Sequence, residues 1–241
     1  MTQSIIEKLK KEIESLGVDT TPRDVGVVRA VGDGIVEIEG LAGAAMAEMV
    51  VFDESSKLSV QQSIEREGKL FGVILNLEED SVKAIVLGDA SRIQEGMHVH
   101  GTGKLLSVPV GDAVIGRIVS TLGEPVDGKG PIKADTEYPV EREAYGVIDR
   151  SSVNEPLHTG IKAIDVLIPI GRGQRELIIG DRGTGKTAVA IDAILNQLNE
   201  PKEKRPLCIY VAIGQKESKT ARIAGLLAER GAMEYTAIVT A

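Results

Sequence analysis

Cysteine and aromatic side chains are scarce in this sequence. Among 241 residues there are one cysteine, two phenylalanines, four tyrosines and no tryptophan. A single cysteine excludes a disulfide bond within the chain. Because Cys208 lies in the apolar run LCIYVAI, we expect a buried thiol that packs as a small hydrophobic side chain rather than a reactive one.

Basic residues are also too few for a typical nucleic-acid-binding protein. The 28 Lys and Arg are outnumbered by 36 Asp and Glu, and the formal net charge is −8. Binding to a phosphate backbone needs a surplus of positive charge, and single strands usually stack on aromatic side chains. The composition therefore argues against nucleic acid as the main partner.

Long hydrophobic runs are absent as well. No apolar run reaches the roughly 18 residues that a membrane-spanning helix needs, so we expect no direct membrane insertion. The first residues, MTQSIIEKLKKEIESLG, lack the apolar stretch of a signal peptide and are too acidic for a typical mitochondrial transit peptide. Their apolar residues recur at helical spacing, which predicts a short amphipathic helix packed either on its own domain or on a partner.

Short β runs separated by glycines and acidic turns fill residues 25–101. The run VEIE that begins at Val36 alternates strictly, as a half-buried antiparallel strand does. Several short strands at regular spacing predict a small all-β barrel or sandwich. His98 and His100 could share one face of a strand, but no third ligand for a metal is in view.

After a turn-rich, structured connection at residues 104–154, the chain alternates strand and helix. The apolar runs ELIIG, LCIYVAIG and YTAIVTA are separated by the helical stretches KTAVAIDAILNQL and ESKTARIAGLLAERG. Unbroken apolar strands between helices indicate a parallel sheet covered on both faces. The second part of the chain is therefore predicted to be an α/β domain.

A phosphate-binding loop joins the first of these strands to the helix that follows it. The residues GDRGTGKT match the pattern G-x-x-x-x-G-K-[ST]. Glycines allow backbone N–H groups to surround a phosphate, the lysine adds positive charge, and the helix N-terminus adds unpaired N–H groups. We expect the Thr187 hydroxyl to bind Mg²⁺. The candidate nucleotide-binding residues of the loop are Gly180, Asp181, Arg182, Gly183, Thr184, Gly185, Lys186 and Thr187.

Binding a nucleotide does not imply hydrolysing it. Many nucleotide triphosphatases orient the attacking water with a carboxylate or a glutamine, which can reach the γ-phosphate from the end of a neighbouring strand. The residue that follows LCIYVAIG is Gln215. We therefore include Gln215 among the candidate nucleotide-binding residues. Because an amide can hold a water molecule but cannot accept its proton, Gln215 weakly favours binding without catalysis.

The sequence closely resembles the alpha subunits of F-type ATP synthases. Four segments carry the resemblance: VPVGDAVIGRIVSTLGEPVDGKGPI, RSSVNEPLHTGIKAIDVLIPIG, PIGRGQRELIIGDRGTGKTAVAIDAILNQ and YVAIGQKES. It covers roughly residues 24–241 and weakens in the amino-terminal helix. It implies a helix and lead-in at 1–23, a β-barrel at 24–95, and a RecA-like P-loop nucleotide-binding domain at 96–241 that is incomplete at its C-terminal side.

The resemblance also implies partners and a location. In this family three alpha subunits alternate with three beta subunits around a gamma shaft, and the alpha site binds Mg-ATP without turning it over. The delta subunit of the peripheral stalk is expected to contact residues 1–20. The complex makes ATP with a transmembrane proton or sodium gradient, so the chain is expected on the cytoplasmic side of the inner (plasma) membrane as a peripheral protein. The missing targeting segment favours a bacterial over an organellar source.

Two positions affect how much of the family's chemistry carries over. Gln215 stands where the beta subunits have a glutamate that polarises the attacking water, so the resemblance strengthens the non-catalytic interpretation. Gly183 departs from the usual alpha pattern, which has glutamine there. The missing side chain puts in doubt how tightly the site holds its nucleotide.

The sequence ends about one strand after the helix that follows Gln215. In the family, the aspartate-bearing strand beside the magnesium ion, an arginine that reaches the neighbouring beta site and a helical domain all come later. We therefore expect a fragment of a longer protein. Because a sheet with few strands leaves an exposed edge, the isolated chain is expected to be marginally stable or prone to aggregation.

Two other functions use a related core. A catalytic ring ATPase, such as a synthase beta subunit or a type III export ATPase, is disfavoured by Gln215 and faintly favoured by Gly183. An RNA-driven helicase such as the Rho termination factor is disfavoured by the acidic charge and the scarcity of aromatic residues. The alpha subunit remains the leading interpretation.

Overall fold

The computed structural model describes residues 25–53 and 70–241. The amphipathic helix expected within residues 1–23 lies outside the described residues, and so does the contact expected for residues 1–20. The chain divides into two compact units, Met1–Leu106 and Ser107–Ala241.

The first unit is a closed antiparallel barrel of six strands. In space they follow the order β1-β2-β5-β4-β3-β6, and β6 pairs with β1 to close the ring. This confirms the predicted β-barrel, and its last strand lies C-terminal to the boundary suggested between residues 95 and 96. The strands are β1 Val25–Gly32, β2 Ile35–Gly40, β3 Glu48–Asp53, β4 Leu70–Leu77, β5 Ser81–Leu87 and β6 His98–Leu105.

The hairpin between β1 and β2 illustrates how local sequence sets the strand register. Asp33 and Gly34 have positive φ angles of 51° and 79°, the conformation of a two-residue turn whose twist matches the paired strands. Beyond the turn Val36 and Ile38 are fully buried, as their alternation with glutamates predicts. The apolar core of the barrel consists of Val28, Val36, Ile38, Leu41, Val50, Phe52, Leu70, Ile74, Val82, Ala84, Val86, Ile93 and Val99.

The second unit contains one parallel sheet of three strands and two small antiparallel pairs. The parallel sheet has the order β12-β13-β8, while β7 pairs with β9 and β10 with β11. The strands are β7 Ser107–Val110, β8 Ile118–Ser120, β9 Thr136–Pro139, β10 Pro156–Leu157, β11 Ile170–Gly171, β12 Cys208–Ala212 and β13 Thr236–Thr240, and the helices are α1 Lys162–Leu167, α2 Lys186–Asn196 and α3 Glu217–Glu229.

Helices α2 and α3 contribute to one core with β12 and β13. On α3 the buried residues Thr220, Ile223, Ala224 and Leu227 recur at helical spacing, so one stripe of the helix is buried. The helix stops before Gly231, which adopts a positive φ of 76° that suits a helix end. The core residues are Ile191, Tyr210, Ala212, Ile223, Ala224, Leu227, Ala232, Tyr235 and Ile238.

Two expectations for the α/β part are wrong in the described residues. Residues 174–180, which include the apolar run ELIIG, form no strand, and Leu177 and Ile179 are 81% and 83% exposed. The sheet is not covered on both faces, since Ile209 and Val211 of β12 are exposed. Apolar residues favour burial, but they do not specify which neighbouring strand or helix provides it.

A partly buried ion pair fixes the turn-rich segment that was expected to connect the two parts of the chain. Arg117 donates from Nε and a terminal nitrogen to the two carboxylate oxygens of Asp127, at 2.7 and 2.9 Å. The backbone N–H groups of Lys129 and Ile118 donate to the same carboxylate, at 3.0 and 3.2 Å. These bonds attach the turn to the start of β8.

The guanidinium of Arg117 and the two N–H groups hold the pKa of Asp127 well below its usual range. A lowered pKa in the folded state stabilises the fold fully above the usual aspartate pKa, and this stabilisation is lost as the pH falls toward the folded-state value. We therefore expect Asp127→Asn to lower the melting temperature at pH 6 and to have a smaller effect near pH 3. Calorimetry across this range, with exposed Asp135→Asn as control, measures both. If Asp127→Asn lowers the melting temperature equally at the two pH values, the lowered pKa of Asp127 does not stabilise the fold in this way.

Candidate functional site

The predicted phosphate loop is a tight turn whose backbone favours glycine at three places. Gly183 and Gly185 have positive φ angles of 84° and 95°, a region that residues with a Cβ rarely adopt. At Gly180 a Cβ would lie 2.9 Å from Oγ1 of Thr184, which is too close. Thr184 Oγ1 donates to the Asp181 carbonyl oxygen at 2.8 Å, so the two ends of the turn are tied together.

Lys186 connects this loop to the helix that follows it. It is the first residue of α2, and Gly185 caps the helix. Its Nζ donates to the carbonyl oxygens of Gly180 and Asp181. The ammonium group therefore lies beside the loop at a helix N-terminus, where unpaired N–H groups and the helix dipole also attract anions.

The loop borders a cavity of about 560 Å³. Its described lining comes from the loop, the start of α2 and one residue of α3, Lys219. Lys219 Nζ donates to Thr187 Oγ1 at 3.4 Å. The lining residues are Arg182, Gly183, Thr184, Gly185, Lys186, Thr187, Ala188 and Lys219, so the structure brings most of the predicted loop residues together.

The sequence interpretation missed Lys219. The signal was its position in the first turn of the helix that follows β12. In parallel sheets this turn lies at the carboxyl ends of the strands, where the phosphate loop also lies.

Gln215 lies just after the carboxyl end of β12 and is half-buried. Its Oε1 accepts a hydrogen bond from the Tyr210 hydroxyl at 3.2 Å. It is not among the described residues that line the cavity. The structure thus gives the amide a fixed partner without placing it against the loop.

The remaining candidates lie outside this cavity. Cys208 begins β12 and is half-buried, and burial raises the pKa of its thiol, which agrees with a packing role. His98 and His100 belong to β6 of the barrel. Within residues 25–53 and 70–241, no cluster of three or more metal-ligating side chains occurs, and none of the helices is sufficiently long and apolar to span a membrane.

Together the loop, the cavity that it lines and the helix that follows it define a P-loop nucleotide-binding protein. Comparison with known families gives the same class in more detail. The beta-barrel domain of the ATP synthase alpha/beta family matches residues 23–103, and the nucleotide-binding domain of that family matches residues 160–241. The chain belongs to the ATP synthase alpha/beta family.

Individual relatives are similar over nearly all of the chain. A protein named ATP synthase subunit alpha from Dehalococcoides mccartyi strain CBDB1 is 52% identical over 239 residues, which is 99% of this chain and 44% of the relative. A protein of the same name from Thiobacillus denitrificans is 52% identical over 237 residues, which is 98% of this chain and 43% of the relative. The chain thus spans less than half the length of these relatives.

Lys186 supplies the charge that the loop offers to a phosphate, so its removal is the direct test of the site. We expect Lys186→Gln to weaken binding of a fluorescent adenine nucleotide by about tenfold or more, the value of one charge-assisted hydrogen bond. Lys162→Gln removes an exposed charge from α1 and serves as the control. If Lys186→Gln binds the nucleotide with the same affinity as the unaltered chain, the nucleotide binds elsewhere.

Proposed function

We propose that this chain acts as subunit alpha of an F-type ATP synthase, a non-catalytic and regulatory subunit that holds Mg-ATP. One observation carries the proposal. The described lining of the phosphate cavity contains Arg182, Lys186 and Lys219 but no carboxylate. Such a site neutralises a triphosphate, yet it offers no group that accepts a proton from an attacking water.

The residues present suit a nucleotide with its magnesium ion. Lys186 binds the outer phosphates, and the loop and helix N–H groups surround them. The Thr187 hydroxyl faces the cavity, where its oxygen already accepts a hydrogen bond from Lys219. Once Lys219 moves away, that oxygen can bind Mg²⁺, which when bound neutralises charge on the phosphate oxygens.

Gln215 completes the argument against catalysis by this chain. The hydrogen bond from Tyr210 engages its oxygen, and the amide has no basic atom with which to activate water. In a synthase beta subunit, one form of the alternative catalytic ring ATPase, a glutamate stands at this position. Gly183 alone points toward that alternative, because it makes the loop resemble that of a beta subunit at this one position, but it adds no base.

The partners of the proposed subunit follow from the family. It alternates with beta subunits in a ring around the gamma shaft, and residues 1–20 contact the delta subunit of the peripheral stalk. The complex makes ATP from ADP and phosphate with a proton or sodium gradient. It lies on the cytoplasmic face of a bacterial plasma membrane, and other subunits anchor the chain there. The named relatives, at 52% identity, support this assignment.

Nucleotide exchange in the assembled complex tests the proposal. The complex is loaded with labelled Mg-ATP, isolated and then supplied with unlabelled ATP. We expect the label on this chain to remain as ATP through many turnovers, because nothing at the site activates water. Release of the label as ADP at the turnover rate would overturn the non-catalytic assignment.

A carboxylate at position 215 tests the role of the amide. In the same assembled complex we expect Gln215→Glu to convert bound, labelled ATP slowly to ADP, since the glutamate adds the missing base. Gln215→Ala, which removes the amide without adding a base, is expected to keep the ATP intact. If both variants behave alike, the amide is not what prevents hydrolysis.

A further inference from the structure

Lys219 is a cation that the phosphate-loop motif does not require. The motif provides its own lysine, Lys186, and the nucleotide-binding loop is complete at Thr187. Lys219 nevertheless lines the same cavity, and it reaches there from α3, a different element. The cavity therefore contains a second ammonium group in addition to that of the motif.

The direction of Lys219 is set by the packing of its helix. The next residue, Thr220, is buried, and so are Ile223 and Leu227 further along α3. These contacts fix the rotation of the helix about its axis, so Lys219 is held on the side of the loop. Lys216 and Arg222, which flank it on the same segment, are exposed and do not line the cavity.

The contact made by Lys219 is with the hydroxyl assigned to magnesium. Its Nζ lies 3.4 Å from Thr187 Oγ1, the oxygen to which the proposed function assigns a divalent cation. An ammonium group beside this oxygen and a Mg²⁺ bound to the same oxygen would repel each other. Each can instead neutralise the same phosphate oxygens, so the two cations compete for one role.

We propose that Lys219 is a phosphate-binding residue that replaces part of the charge of Mg²⁺ and so allows the site to hold ATP without its metal ion. The inference rests on the proposed function, because it concerns the same nucleotide. Without Mg²⁺, Lys219 donates to the outer phosphate oxygens. With Mg²⁺ bound to Thr187, it moves away from the hydroxyl and contributes less.

The effect of Mg²⁺ on the affinity for ATP tests this role of Lys219 directly. The dissociation constant of a fluorescent ATP analogue is determined for the 241-residue chain with excess Mg²⁺ and with a chelator. The quantity of interest is the ratio of the metal-free to the metal-bound constant. We expect Lys219→Gln to raise this ratio by about tenfold, since a charge-assisted hydrogen bond is lost mainly from the metal-free complex.

Two further variants separate charge from structure. Lys219→Arg keeps the charge and is expected to keep a ratio close to that of the unaltered chain. Arg222→Gln removes one positive charge from the same helix, one turn further on, and is expected to leave the ratio unchanged. Its behaviour controls for the general loss of positive charge near the site.

The possible results distinguish the inference from the function on which it rests. If the unaltered chain binds ATP and Lys219→Gln leaves the ratio unchanged, the role proposed for Lys219 is wrong. The proposed function as a nucleotide-binding subunit is then unaffected. If the ratio rises equally in Arg222→Gln, the effect is long-range charge and the inference also fails. If the unaltered chain does not bind ATP under either condition, both the proposed function and the inference are wrong.

Discussion

The functional half of this protein depends on one constraint, the tight turn of the phosphate loop. Gly183 and Gly185 have positive φ angles, which glycine adopts most readily, and a Cβ at position 180 would meet Thr184. Lys186 then holds the turn closed, because its Nζ donates hydrogen bonds to the carbonyl oxygens of Gly180 and Asp181. Because this lysine is also the first residue of α2, the same contact fixes the loop against the N-terminus of the helix.

Positive charge is concentrated at the cavity beside this loop. The chain as a whole is acidic, with a formal net charge of −8, while Arg182, Lys186 and Lys219 meet at one cavity. Positive groups gathered in this way repel one another, and an anion with several negative charges relieves the repulsion. A polyphosphate fits that requirement, whereas a single carboxylate would leave most of the charge unbalanced.

The parts that could be predicted from sequence are those that local rules determine. The alternation at Val36 and Ile38 predicts a barrel strand, because successive side chains of a strand point to opposite faces of the sheet. The loop was equally predictable, since its geometry is contained within eight consecutive residues.

Features that depend on distant residues were not predictable in the same way. The run ELIIG has the composition of a strand, but strand formation needs a partner that the run does not specify. Lys219 approaches Thr187 only because α3 packs against the sheet in one rotation. Even β8, three residues within a turn-rich segment, joins the parallel sheet through pairing with β13, which follows it by more than a hundred residues in the chain.

The closure of the barrel has a consequence for synthesis of the chain. The first described strand, β1, pairs with β6 at residues 98–100, so the ring cannot close until β6 has left the ribosome. At that moment every residue of the barrel is available, but the phosphate loop has not yet been translated. The barrel can therefore fold first, as amino-terminal domains generally do. A closed ring has no free strand edge, which protects the nascent chain from edge-to-edge pairing while the nucleotide-binding residues follow.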